Sequence, residues 1–124
     1  MIAGSPRILI IRLSAIGDVV RTVPAMQALR DAFPQAHIDW IVERKSADII
    51  SGHPALDGLI VFERPEGKWE SSRQFAGLCR DIRNKRYDIA VDFHGILKTG
   101  VITAATRAKK RYGFARPRSQ EGST

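Results

Sequence analysis

The stretch "RILIIRLSAIGDVV", residues 7–20, decides how the chain is read. Arg7–Leu13 is a short β-rich run that is apolar on both faces, as strands buried in a parallel sheet are. It ends in the small, polar turn "SAIGD" and passes directly into a helical pattern. From Gly17 to Phe33, Val19, Val23, Met26, Leu29 and Phe33 recur at helical spacing. Pro24 interrupts that pattern, which predicts a kink or a helix properly starting near Thr22. A strand, a glycine-punctuated turn and a helix carrying an early aspartate make one unit of an α/β fold.

The same alternation continues to the end. "AHIDWIV" (36–42) reads as the second strand and "RKSADIIS" as a short helix, followed by a third strand at "DGLIVFE" (57–63). After the polar loop "RPEGKW" a helix is expected over 70–85, with Phe75, Leu78, Cys79 and Ile82 on its core stripe. "YDIAVDF" (87–93) is the fourth strand, "GILKTGVITAAT" the fourth helix, and "RYGF" (111–114) begins a fifth strand. Strands alternating with helices predict a Rossmann-like, doubly wound parallel sheet. The 124 residues, 44% hydrophobic and 27% charged, suffice for one domain with a single core.

Composition narrows the chemistry. Twenty Lys+Arg against thirteen Asp+Glu give a net charge of +7, a field that favours phosphates, nucleic acid or an acidic membrane surface. The single cysteine, Cys79, excludes an internal disulfide framework and a multi-cysteine metal site; the spacing predicts a core residue. His37, His53 and His94 show no ligand spacing, so no metal and no cofactor is expected. The first residues lack a signal-peptide core and no apolar run approaches the ~18 residues of a membrane span, so a cytoplasmic setting with at most surface contact to a membrane is expected.

Ligands of open α/β sheets gather at the carboxyl ends of the strands. Three chemically rich loops fall there: "SAIGD", "RPEGK" and "HGILK". None is a G-x-G-x-x-G fingerprint or a Walker phosphate loop, which disfavours an ordinary nucleotide-binding Rossmann domain. Asp18 has two readings: Ser14 or Asp18 caps the helix, or Asp18 faces a cleft as a general base. Lys98, one turn into its helix, is either solvated or aimed at an anion. His94 reads as a turn residue before a ligand or base. Arg64 and Lys68 flank Gly67 and could clamp phosphate. Arg107, Lys109, Lys110, Arg111, Arg116 and Arg118 form an acid-free basic run resembling a nucleic-acid patch, with aromatic interleaving limited to Tyr112 and Phe114.

Together "RILIIRLSAIGDVVRTVPAMQALRDAFP", "IDWIVE", "YDIAVDFHGILKTG" and "RYGFARPRSQEG" resemble the amino-terminal half of a heptosyltransferase of glycosyltransferase family nine, closest to its type I members. The resemblance covers nearly the whole chain from Arg7. It implies one half of a GT-B fold, spanning residues 1–124 here, whose amino-terminal half holds the acceptor and whose carboxyl-terminal half holds the ADP-heptose donor. It implies Asp18 as catalytic base in an inverting transfer to the phosphorylated Kdo–lipid A of the lipopolysaccharide inner core. Ser14, Gly17, Arg64, Lys68, Gly95, Lys98, Arg116, Arg118 and Glu121 are the implied acceptor-side residues. Family members often carry Arg before the glutamate matching Glu121; here that residue is Gln120. The family's donor motif D-[ST]-G-x-x-H has no match, so the chain is expected to be the acceptor half, inactive alone. The +7 charge then belongs to the phosphorylated acceptor and the inner face of the bacterial inner membrane, not to nucleic acid. The reading opposed to it is a non-catalytic basic α/β module that binds nucleic acid or an acidic membrane.

Overall fold

The computed structural model describes residues 5–63 and 68–113. Five strands and four helices alternate: β1 (Arg7–Ile11), α1 (Ile16–Ala32), β2 (His37–Glu43), α2 (Arg44–Ile50), β3 (Gly58–Phe62), α3 (Lys68–Asn84), β4 (Ile89–Asp92), α4 (Leu97–Ala105) and β5 (Lys110–Gly113). All pairings are parallel, in the spatial order β3-β2-β1-β4-β5. The register sets Ile8 beside Ile38 on one side and Ile89 on the other, so β1 is the central strand.

Both faces of the sheet are apolar, and each has its own helices. Ile8, Ile10, Ile38, Trp40, Val42, Ile89 and Val91 point to the face covered by Val19 and Met26 of α1 and Ala47 and Ile50 of α2. Leu9, Ile11 and Ile41 point the other way, against Ile82 of α3 and Ile102 of α4. A strand that must bury alternate residues on opposite faces reads as an unbroken apolar run, which is what "ILII" is. The doubly wound expectation is met.

Polar groups inside the sheet are matched. The buried Asp39 carboxylate receives the Tyr87 hydroxyl at 2.6 Å and His37 Nε2 at 2.8 Å. Gly58, paired beside Asp39 in the neighbouring strand, leaves room for that carboxylate where a Cβ would collide with it. Asp57 accepts from the Ile38 N–H at 2.8 Å and from Arg30 at 2.6 Å, tying α1 to the β2–β3 side.

Two expectations are corrected. Of the two alternatives at Pro24, the helix starting near Thr22 is excluded: α1 starts at Ile16, one residue before the pattern, and continues through Pro24. The first turn is already closed by the Val19 N–H on the Ala15 carbonyl at 2.9 Å. Proline removes one ladder bond, to Val20, which lies on the exposed side where water can satisfy its carbonyl. Cys79 is half-buried between α3 and α4 beside Val101, Ala104 and Ala105, outside both core clusters. Ile82 takes the core position of that stripe, and burial still raises the Cys79 thiol pKa.

Candidate active site

Strand order reverses between β1 and β4: successive strands move outward from β1 to β3, and the chain then crosses back to β1's other side. Loops leaving the carboxyl ends of adjacent strands on the two sides of such a reversal diverge and leave a crevice. The two loops there are Arg12–Ala15, after β1, and Phe93–Ile96, after β4. "SAIGD" and "HGILK" are thereby brought together by topology, across 81 residues of sequence.

Arg12 joins them. Its Nη2 meets Asp18 Oδ2 at 2.7 Å, and its Nη1 donates to the Phe93 carbonyl at 2.6 Å. Its own carbonyl accepts from the indole N–H of the fully buried Trp40 at 3.0 Å. The side chain is only 17% exposed, and its Nε is buried without a partner among the described residues. A cation so desolvated needs its remaining donors well matched, which the carboxylate and the carbonyl provide. Arg21 adds a looser contact to Asp18 Oδ1 at 3.2 Å.

Asp18 occupies the first turn of α1 with its side chain 41% exposed. The helix N-cap is Ala15, and no side chain caps it, so neither Ser14 nor Asp18 has the capping role. The Arg12 hydrogen bond and charge hold the Asp18 carboxyl below the ordinary carboxylate range, against a smaller opposing effect of desolvation. An ionised carboxylate, held by Arg12 on one oxygen and more loosely by Arg21 on the other, stands partly exposed at this reversal point.

The β4 side is equally ordered. The buried Asp92 accepts from the backbone N–H groups of His94 and Gly95, both at 2.9 Å. Gly95 has φ 71°, a left-handed conformation that suits glycine. The His94 ring reaches back to β1, where its Nδ1 accepts the Leu13 N–H at 3.1 Å. Thr99 closes the start of α4: its hydroxyl accepts from the Ile96 N–H at 3.0 Å and donates to the Ile96 carbonyl. Around this polar floor, Ile16 and Val20 of α1 and Ile96 and Leu97 at the start of α4 are exposed, Leu97 by 86%.

The other sequence-derived residues are distributed differently. Gly17 is exposed in the first turn of α1, where a Cβ would meet nothing within 4 Å, so packing places no demand on a glycine. Ser14 is half-buried in the turn after β1. Lys98 places its Nζ 5.1 Å from the centre of the Phe62 ring at the end of β3. Arg64, Arg116, Arg118 and Glu121 lie outside the described residues, as does the side chain of Lys68, whose backbone opens α3. Among the described residues no three His, Cys, Asp or Glu converge as a metal site, and no helix is long and apolar enough to cross a membrane. Arg12, Asp92 and Trp40 are the members the sequence reading missed. A lone arginine inside "ILIIRLS" was the available signal, since a buried cation requires a partner.

A sheet of this order, with charged groups at its reversal point, defines a Rossmann-like α/β domain. Comparison with known proteins narrows this. No protein-family profile matches the chain. A lipopolysaccharide core heptosyltransferase of Haemophilus influenzae is 28% identical over 91% of this chain and 31% of its own length. The glycosyl transferase family 9 structure from Veillonella parvula superposes with a TM-score of 0.79 at 28% identity, covering 89% of this chain and 32% of that one. An Escherichia coli heptosyltransferase WaaC solved with ADP gives a TM-score of 0.74 at 28% identity over 93% of this chain and 39% of that one. The chain is similar to lipopolysaccharide heptosyltransferases and to a glycosyl transferase family 9 structure, and spans about a third of the length of the curated relatives it matches. The competing nucleic-acid reading is not favoured by these relatives.

Proposed function

We propose that this chain is the acceptor-binding, amino-terminal domain of a heptosyltransferase that moves heptose from ADP-heptose to the phosphorylated Kdo–lipid A inner core. The observation that carries the reading is the Asp18 carboxylate, ionised by Arg12 and exposed at the β1/β4 reversal. The donor assignment rests on the relatives, one of which is solved with ADP.

The reaction is a single displacement with inversion. An acceptor hydroxyl oxygen attacks the anomeric carbon, the bond from that carbon to the ADP phosphate oxygen breaks, and ADP departs with the electron pair. The hydroxyl proton passes to Asp18. With its pKa held low, Asp18 is a weak base for an alcohol, so it takes the proton late, when the attacking oxygen already carries positive charge. Arg12 keeps the carboxylate in place, and positioning of the two sugars supplies much of the remaining acceleration. The exposed Ile16, Val20, Ile96 and Leu97 around the charged floor suit an acceptor with acyl chains, used at the cytoplasmic face of the inner membrane. Lys98, Arg64, Lys68, Arg116 and Arg118 are assigned to acceptor phosphates and Glu121 to the acceptor sugar; Ser14, Gly17 and Gly95 supply backbone near it.

Titration of the ¹⁵N-labelled chain with Kdo–lipid A and with ADP-heptose separates acceptor from donor. The reading expects amide shifts at Ser14–Asp18 and His94–Lys98 with the acceptor, negligible binding of ADP-heptose, and no transfer by the 124-residue chain. Donor binding at these loops without acceptor binding would reverse the assignment.

A further inference from the structure

Resting on the reading of Asp18 as base, we propose that His94 is a second substrate-contacting residue: a neutral imidazole whose Nε2–H donates to an acceptor-sugar oxygen beside the one that loses its proton to Asp18. The argument begins with hydrogen-bond chemistry. A backbone N–H can only donate, so the 3.1 Å bond from Leu13 N requires a lone pair on His94 Nδ1. The single ring proton of the neutral form is then on Nε2. Protonating Nδ1 would set two N–H groups against each other.

The anchor is rigid at both ends. Leu13 is buried at the end of β1, and the His94 backbone N–H is held by Asp92. Burial and the neighbouring Arg12 guanidinium lower the His94 pKa, while Asp92, Glu43 and Asp18 oppose them. These groups, from the β1, β2, β4 and α1 ends, are the charges that face the ring. The His94 side chain is half-buried, and its Nε2 makes no hydrogen bond to the described residues.

A turn alone does not need this ring. Asp92 and Gly95 already complete the β4–α4 turn, and Thr99 completes the start of α4. What the ring adds is a donor on the loop whose Phe93 carbonyl holds the same Arg12 that holds Asp18. Adjacent hydroxyls of a sugar match such a pair, one oxygen giving its proton to Asp18 and its neighbour accepting from His94. A neutral donor also avoids competing with Arg12 for the Asp18 charge.

The test uses the ¹⁵N-labelled chain and soluble Kdo. Long-range ¹⁵N–¹H spectra at pH 7 should show a protonated Nε2 and an unprotonated Nδ1; the opposite tautomer or an imidazolium overturns the proposal. On saturation with Kdo the Nε2–H signal should shift, and a silent signal overturns it whether or not any variant folds. His94→Phe should weaken Kdo binding roughly tenfold, about 1.4 kcal/mol. His94→Gln, whose amide oxygen can accept from Leu13 and whose amide nitrogen can donate outward, should hold binding within about threefold. Unchanged binding by His94→Phe defeats the proposal alone. No Kdo binding by the unaltered chain defeats it together with the acceptor reading.

Discussion

Asp39 and Asp18 are both carboxylates in contact with a cation or donor, yet only Asp18 faces a crevice, and Tyr87→Phe tests that division. The Tyr87 hydroxyl donates to Asp39 Oδ2 at 2.6 Å inside the protein, with Asp39 4% and Tyr87 3% exposed. Burial first, and then the Asp39 carboxylate, push the Tyr87 hydroxyl pKa far above its ordinary value, so it remains a donor throughout the accessible pH range. Removing one oxygen atom leaves the ring packing intact and strands Oδ2 where water does not reach. A hydrogen bond to a charged group is worth about 1.5–3 kcal/mol, and a stranded buried acceptor puts the cost in the upper part of that range, near 2–3 kcal/mol. At this chain length that corresponds to a fall in Tm of roughly 8–12 °C. Thermal and urea unfolding followed by circular dichroism measure it, and the Tyr87→Phe/Asp39→Asn cycle isolates the pair. Acceptor binding below the melting range should be unchanged, because the pair lies far from the β1/β4 crevice. A loss under about 0.5 kcal/mol would refute the claim that Oδ2 depends on Tyr87.

In a complete two-domain enzyme carrying this domain, Asp18→Asn should lower turnover at least ~10²-fold with fold and donor affinity kept; near-normal turnover removes Asp18 from the chemistry. Arg12→Met should let the Asp18 pKa rise toward its ordinary value, measured by ¹³C titration of the side-chain carboxyl, and should loosen the Phe93 loop in hydrogen exchange. An unmoved titration would mean that Arg12 does not govern the carboxylate. Acid stability gives a further check. Arg12 holds Asp18 low and Arg44 holds Glu63 low; burial pushes Asp57 up, but the Ile38 N–H and Arg30 outweigh it. Folded-state pKa values below the unfolded ones contribute stability that is present above about pH 4 and lost as pH falls through the depressed values. His94, whose folded-state pKa is also lowered, adds a loss that begins as pH falls through the ordinary imidazole range, so urea midpoints should decline gently from pH 7 to 5 and drop further below about pH 4. A midpoint that rises on acidification would contradict the sign.

The α/β alternation was legible because each central strand is buried on two faces, so "ILII" and "IDWIV" carry a composition no surface strand would have. Boundaries were less so: β4 is Ile89–Asp92 where seven residues from Tyr87 to Phe93 read as strand, since Phe93 already turns into the Asp92-held loop. The start of α1 was left between Gly17 and Thr22 because proline propensity is local, while Val19 and Met26 bury against β1 whatever Pro24 does. Asp18 was visible from its place after a strand, but Arg12 was not, because its second partner is the Phe93 carbonyl 81 residues away. His94 was read as a turn residue, and its backbone is one; the ring's bond to Leu13 is equally long-range. Lys98 shows the converse, a residue at the expected position in α4 whose contact with the Phe62 ring no local pattern announced.

The central place of β1 also orders assembly. Its β2 partners follow about 30 residues later in the chain, Arg7 with His37, whereas the β4 partner of Ile8 is Ile89. As the chain leaves the ribosome, β1, β2 and β3 with α1 and α2 can already bury most of one face, before the last third of the domain exists. One edge of β1 then stays open, a row of unpaired N–H and C=O groups waiting for β4. Arg12 has no Phe93 carbonyl and Leu13 no imidazole until that strand docks. The crevice is therefore among the last features to form, and a nascent chain stopped before Ile89 carries Asp18 without the arrangement that orients it.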